Sequence, residues 1–121
     1  MAMNNDVSLI LIGSGAVRTN LDRGGPAQVV RVGDQVLLFD CGRCAVHNLA
    51  RSGFQAQEID RVFITHLHFD HVCDLAHLIL LSWNNGRSRT LEVYGPPGID
   101  DFLDQGVLVL EVEVERSVRS P

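Results

Sequence analysis

The chain predicts a layered α/β unit, and three observations carry that prediction. Short apolar runs rich in β-branched residues recur along the 121 residues; after residue 44 they alternate with segments of helical period; and clusters of Gly, Pro, Asn or Asp punctuate both. The resulting order, β-β-β-α-β-α-β-α-β, is that of helices layered on a sheet. No repeat, low-complexity stretch or linker interrupts it, so residues 1–121 read as one unit without an internal boundary.

"VSLILIG" at 7–13 is an apolar run closed by glycine and reads as a buried strand. "SGAVRTNLDRGGPA" is turn chemistry that cannot sustain a helix. Residues 28–32 and 35–40 form two strands about the hairpin turn "GD", so the sheet begins antiparallel. "RCAVHNLARSG" puts Ala45, Val46, Leu49 and Ala50 on one helical face and ends at Gly53, a C-terminal cap. "IDRVFITH" at 59–66 is a strand, and "DLAHLILLSW" is an apolar helix halted by "NNG" at 84–86. "TLEVY" is a strand broken by two prolines, and "IDDFLDQ" at 99–105 is a short helix. In the tail, Val112 and Val114 alternate with Glu111, Glu113 and Glu115, the period of a strand with one buried face.

With 45% hydrophobic and 21% charged residues the composition is that of an ordinary globular unit. A formal charge of −5 and scattered basic residues give no support to a general phosphate-binding surface, so charge does not favour a nucleic-acid partner. The N-terminus lacks a basic leading region and its apolar run is too short to span a bilayer; a cytoplasmic location with no membrane partner is the expectation. Three cysteines suggest free thiols rather than a disulfide framework.

"THLHFDHVCD" at 65–74 holds three of the five histidines. On an extended segment alternate side chains point the same way, so His66 and His68 can address one metal ion. Asp70 and His71, on the turn into the next helix, diverge enough to serve a second ion. Two ions so placed suit hydrolysis by a metal-activated water, with Asp70 able to accept its proton. Surface histidines, or Asp70 or Asp74 as a helix cap, are the plainer explanation. Four ligand-type residues in the pattern His-x-His-x-Asp-His between a strand and a helix favour the metal.

"LIGSGA", "LLFDCG", "IDRVFITHLHFDH" and "VYGPPG", in that order across about residues 7–98, resemble the metallo-β-lactamase-fold hydrolases, in the branch containing tRNase Z and arylsulfatase-like enzymes. The resemblance implies the N-terminal half of an αββα sandwich, a mixed β-sheet with helices on one face, so that 1–121 is a partial domain. It implies that His66 and His68 bind the first ion, Asp70 and His71 the second, and that Asp40 supports them. Zinc is the usual metal, two ions in the complete site, and imidazole and carboxylate also suit manganese or iron. The implied activity is hydrolysis of an ester or phosphoester, RNase Z-like, through metal-bound hydroxide, on a small-molecule or nucleotide ester.

The family's remaining ligands lie downstream of the matched region, which leaves two ligands per ion where catalytic zinc ordinarily has about three from protein. Little activity from the chain alone is therefore expected, with self-association or a complementing C-terminal half as possible partners. The alternative is a non-catalytic truncated fragment or binding module with a vestigial metal motif. His47 and His77 read as partly buried helical histidines, and Asp100, Asp101 and Asp104 as a solvated face. "CGRC" at 41–44 has thiol-pair spacing but no second such pair, and "GSGAVR" lacks the third glycine and the helix of a dinucleotide site.

Overall fold

The structure, a computed structural model, describes residues 6–110 and 117–119. Among the described residues six strands form one sheet in sequence order. β1 (Val7–Gly13), β2 (Ala27–Val32) and β3 (Gln35–Phe39) are antiparallel; β4 (Arg61–Phe63), β5 (Glu92–Tyr94) and β6 (Ser117–Arg119) continue the sheet in parallel. The change follows connection length. Two residues join β2 to β3, with Gly33 at φ 57 in a turn position that glycine adopts freely. Parallel neighbours need a crossover: α1 (Ala45–Arg51) and a 3-10 turn separate β3 from β4, α2 (Phe69–Val72) and α3 (Leu75–Asn84) separate β4 from β5, and α4 (Ile99–Leu110) precedes β6.

Local chemistry sets the helix ends. Past α1, Gly53 takes φ 88, and the amides of Gly53 and Phe54 donate to the carbonyls of Ala50 and Leu49, which satisfies two terminal acceptors. The buried Phe54 and Leu49 belong to the same core. Gly86, at φ 83, ends α3 in the same way, its amide donating to Trp83 and that of Arg87 to Ser82. The N-terminus of α1 is capped from a distance: Asp74 Oδ2 accepts from the Val46 amide at 2.8 Å. Asp74, whose plainer role would be a cap for its own helix, makes no side-chain cap there.

One face of the sheet carries the core. Val29, Leu38, Val62 and Val93 lie opposite one another on β2 to β5 and are buried against Val46 and Leu49 of α1, Leu75 and Leu78 of α3, and Ile99 and Leu103 of α4. Each buried side chain of this size stabilises by roughly 1.5–3 kcal/mol. On the other face Phe39, Phe63 and Tyr94 stack with ring centroids 4.9 and 5.0 Å apart. Val7, Leu9 and Leu11 are exposed there.

Several expectations change. β1 is an edge strand with one open face, because only β2 pairs with it and only Ile10 and Ile12 turn toward the core. Within β1, read as a buried strand, Val7 and Leu9 lie away from the helices: Val32 opposes both Val7 and Gln35, so Val36, Leu38, Val62 and Ile64 lie beneath the helices while Val7 and Leu9 do not. Ala50 is exposed, beyond the buried stripe of α1. α4 runs on to Leu110, beyond the short helix expected at 99–105; Ile99, Leu103, Val107 and Leu110 recur at helical spacing, and Gly106 does not break it. The expected strand at Glu111 to Glu115 lies outside the described residues.

Candidate metal centre

The His-rich segment follows β4 at the carboxyl end of the parallel strands, beside the residues that follow β3. β4 ends at Phe63, so His66 and His68 lie on the loop beyond the strand rather than on it. Asp70 and His71 belong to α2, whose first residue, Phe69, is 75% exposed.

Asp40 is the hinge of the site. Its amide donates to Phe63 at 2.8 Å, and it then leaves the strand at φ 62, a left-handed conformation that costs most residues about 1–2 kcal/mol and that Asp tolerates better. Its carboxylate, 4% exposed, is fully engaged. Oδ1 accepts from the Thr65 amide at 2.8 Å, and Oδ2 faces His71 Nδ1 at 2.8 Å. The Thr65 hydroxyl lies 3.1 and 2.9 Å from the two oxygens and 2.9 Å from His66 Nδ1.

Backbone closes round this cluster. The Cys41 amide donates to the His71 carbonyl at 2.8 Å, and the Asp74 amide to that of Cys41 at 3.1 Å. Gly25 and Gly42 let the loop after β1 approach α2: a Cβ on Gly42 would stand 2.5 Å from the Asp70 carbonyl oxygen and 2.7 Å from Gly25 C. These glycines are required for close approach, a role their turn-like sequence context does not reveal.

The rings of His66 and His68 meet edge to face at 4.7 Å between centroids, and His66 and His71 at 4.0 Å with a 52° tilt. With Nδ1 of His71 facing Asp40, its Nε2 is 3.7 Å from Asp70 Oδ2. The four expected residues are thus together, with Asp40 beneath them. Among the described residues no group of three His, Cys, Asp or Glu is disposed to hold one ion.

His47 and His77 are not partly buried. Both are exposed on their helices, His77 Nδ1 lying 3.4 Å from Asp74 Oδ1. Asp100, Asp101 and Asp104 are exposed, as expected of a solvated face. The three cysteines are free; Cys41 is buried and Cys44 exposed, so "CGRC" does not present a thiol pair on one surface. Burial, with Asp74 nearby, holds the Cys41 thiol well above its ordinary pKa, and burial raises Cys73 as well. Sequence reasoning passed over Thr65; its only signal is a hydroxyl residue immediately before the first histidine.

A family model described as anti-Pycsar protein Apyc1 matches residues 7–117. Ribonuclease Z of Mycobacterium marinum is 37% identical over 101 residues, 81% of this chain and 36% of that protein. Ribonuclease Z of Pyrococcus furiosus is 32% identical over 97 residues, 80% of this chain and 32% of that protein. The chain therefore spans about a third of the length of these curated relatives. Human tRNase Z, short form, superposes with a TM-score of 0.84 at 32% identity, covering 93% of this chain and 44% of that one. The metallo-β-lactamase fold protein YhfI from Bacillus subtilis superposes with a TM-score of 0.75 at 24% identity over 95% and 45% of the two chains, a likeness of fold.

Proposed function

Since the chain belongs to the anti-Pycsar protein Apyc1 family and has the metallo-β-lactamase fold, we propose that it provides part of the active site of an RNase Z-like metallo-hydrolase cleaving an ester or phosphoester bond. The observation that carries this reading is the convergence of His66, His68 and His71 with Asp70 at the strand ends, above the buried carboxylate of Asp40.

His66 and His68 would hold one ion, Asp70 and His71 a second. The donor chemistry fits zinc, and manganese or iron as well. When bound, a divalent ion supplies Lewis acidity toward the reacting oxygen and lowers the pKa of water. Asp40 holds the His71 ring by its Nδ1, leaving Nε2 to face Asp70. Asp70 would also accept a proton from the attacking water. Ribonuclease Z relatives act on RNA by name, which favours a nucleotide phosphoester; the net charge of −5 favours a small substrate over a long polyanion.

That no three donors among the described residues are disposed to hold one ion favours a second reading, a binding module that takes up metal without turnover. Zinc titration by calorimetry, followed by assay of bis(p-nitrophenyl) phosphate with and without EDTA, separates the two. Zinc uptake with slow, EDTA-abolished hydrolysis supports the hydrolase, and uptake without hydrolysis supports the binding module. No uptake sinks both.

A further inference from the structure

We propose that Thr65 is a positioning residue: through its hydroxyl, anchored on Asp40, it fixes His66 in the tautomer that carries its proton on Nδ1 and leaves Nε2 free as a donor. The inference deepens the metal reading above and rests on it for its purpose, although the hydrogen-bond logic stands without a metal.

The Thr65 hydroxyl has one proton and three close neighbours: Asp40 Oδ2 at 2.9 Å, Asp40 Oδ1 at 3.1 Å and His66 Nδ1 at 2.9 Å. A carboxylate only accepts, whereas a neutral imidazole nitrogen accepts or donates according to tautomer. Were the proton given to His66, two oxygen pairs at about 3 Å would face each other with no hydrogen between them, beside a buried anion. The arrangement closes only if Thr65 donates to Asp40. The hydroxyl oxygen then accepts a hydrogen bond from the His66 Nδ1–H.

The same carboxylate treats His71 alike, since Oδ2 lies 2.8 Å from its Nδ1. One buried group therefore sets both imidazoles, His71 directly and His66 through a single hydroxyl. With Nδ1 of each ring engaged, Nε2 is the nitrogen left to a ligand. Thr65 is exposed, so water competes for the outer face of the hydroxyl. Water cannot supply the rigid alignment. The Thr65 amide, bound to Asp40 Oδ1 at 2.8 Å, pins the backbone, and the β-branched side chain has few rotamers to lose. That amide bond braces the loop without the hydroxyl, so the side-chain contacts serve a different end.

The test uses the 121-residue chain with 15N-labelled histidine. Long-range proton–nitrogen correlation on the metal-free protein, above the ordinary imidazole titration range, reads which nitrogen of His66 is protonated; zinc calorimetry reads affinity. Wild type and Thr65→Ser are expected to show the proton on Nδ1. Thr65→Val, of the same shape without the hydroxyl, is expected to show mixed tautomers and to bind zinc roughly 10- to 100-fold more weakly, with Ser restoring most of the loss. A wild-type His66 protonated on Nε2 overturns the proposal whether or not the variants fold. So does a Thr65→Val protein that keeps both the Nδ1 proton and the zinc affinity. If the wild type takes up no zinc, the metal reading fails while the tautomer still decides the relay.

Discussion

Asp40 Oδ2 and His71 Nδ1 stand 2.8 Å apart although 31 positions separate the residues in sequence. The contact joins the end of β3 to α2, and it is made by a residue at φ 62 whose side chain is buried. Asp40→Asn keeps the shape and the tolerance for left-handed backbone but replaces one acceptor oxygen with a donor. The variant should fold and bind zinc roughly 10- to 100-fold more weakly. Asp40→Ala also strands the Thr65 and His71 donors and strains the backbone, for a loss on the order of 3 kcal/mol. Calorimetry and urea titration read the two effects, and wild-type zinc affinity in Asp40→Asn would remove Asp40 from the site.

Metal uptake should follow the cluster rather than histidine content. His66 and His68 meet at 4.7 Å, whereas His47 is exposed on α1. His66→Ala or His68→Ala should each reduce bound zinc well beyond His47→Ala. Equal losses in all three would mean that zinc adheres to surface imidazoles at random.

Two glycines should respond unequally to a methyl group. Gly42→Ala drives a Cβ to 2.5 Å from the Asp70 carbonyl oxygen and 2.8 Å from Pro26 N, both backbone atoms that cannot swing away. Gly53→Ala meets nothing within 4 Å and bears only the strain of φ 88, roughly 1 kcal/mol. Gly42→Ala should therefore lose several times the stability of Gly53→Ala, and it alone should also weaken zinc binding, because Asp70 must shift. Similar urea midpoints would show that the approach of the loop to α2 is slack.

The Cys41 thiol supplies a pH dependence. Burial first, then Asp74, raises its pKa in the folded chain, so above the ordinary thiol value of about 8.5 the unfolded state releases a proton that the folded state retains. The stability contribution is fully present below that value and is lost as pH rises toward the folded pKa. Cys41→Ala should flatten this decline. In native protein near neutral pH, Ellman's reagent should label the exposed Cys44 first and Cys41 last.

The sequence disclosed those features whose chemistry is contiguous. The β2–β3 hairpin was legible because "GD" sits between two β-branched runs, and the His-rich cluster because its residues fall within six positions. What local pattern could not disclose arises from register or distant pairing. Val7 belongs to a run that reads as buried, and only the pairing of Val32 with Val7 and Gln35 sends it to the face opposite Val36. Asp40 looked like the last residue of a strand; its left-handed turn is set by partners more than twenty residues away. Residues 107–110 satisfy both an apolar strand run and the helical spacing begun at Ile99, and periodicity alone cannot arbitrate so short a segment.

The face opposite the helices should govern the solution state of the isolated chain. Val7, Leu9 and Leu11 are 68, 65 and 66% exposed along one edge strand. The stacked Phe39, Phe63 and Tyr94 rings continue the same face across the sheet and are only half-covered. Soluble monomers seldom leave large apolar faces bare, and a second layer packed about 10 Å away is how a sheet covers such a face. The 121-residue chain should therefore associate with itself as concentration rises, measured by sedimentation velocity. Leu9→Lys with Leu11→Thr should suppress association without loss of stability, because neither side chain belongs to the helix-covered core. Zinc binding at His66 and His68 should be unchanged in that variant, which separates covering the face from building the site. A wild-type chain that stays monomeric and unfolds in one sharp transition would mean that the face is tolerated bare, and neither a second copy nor a complementing half would be needed to cover it.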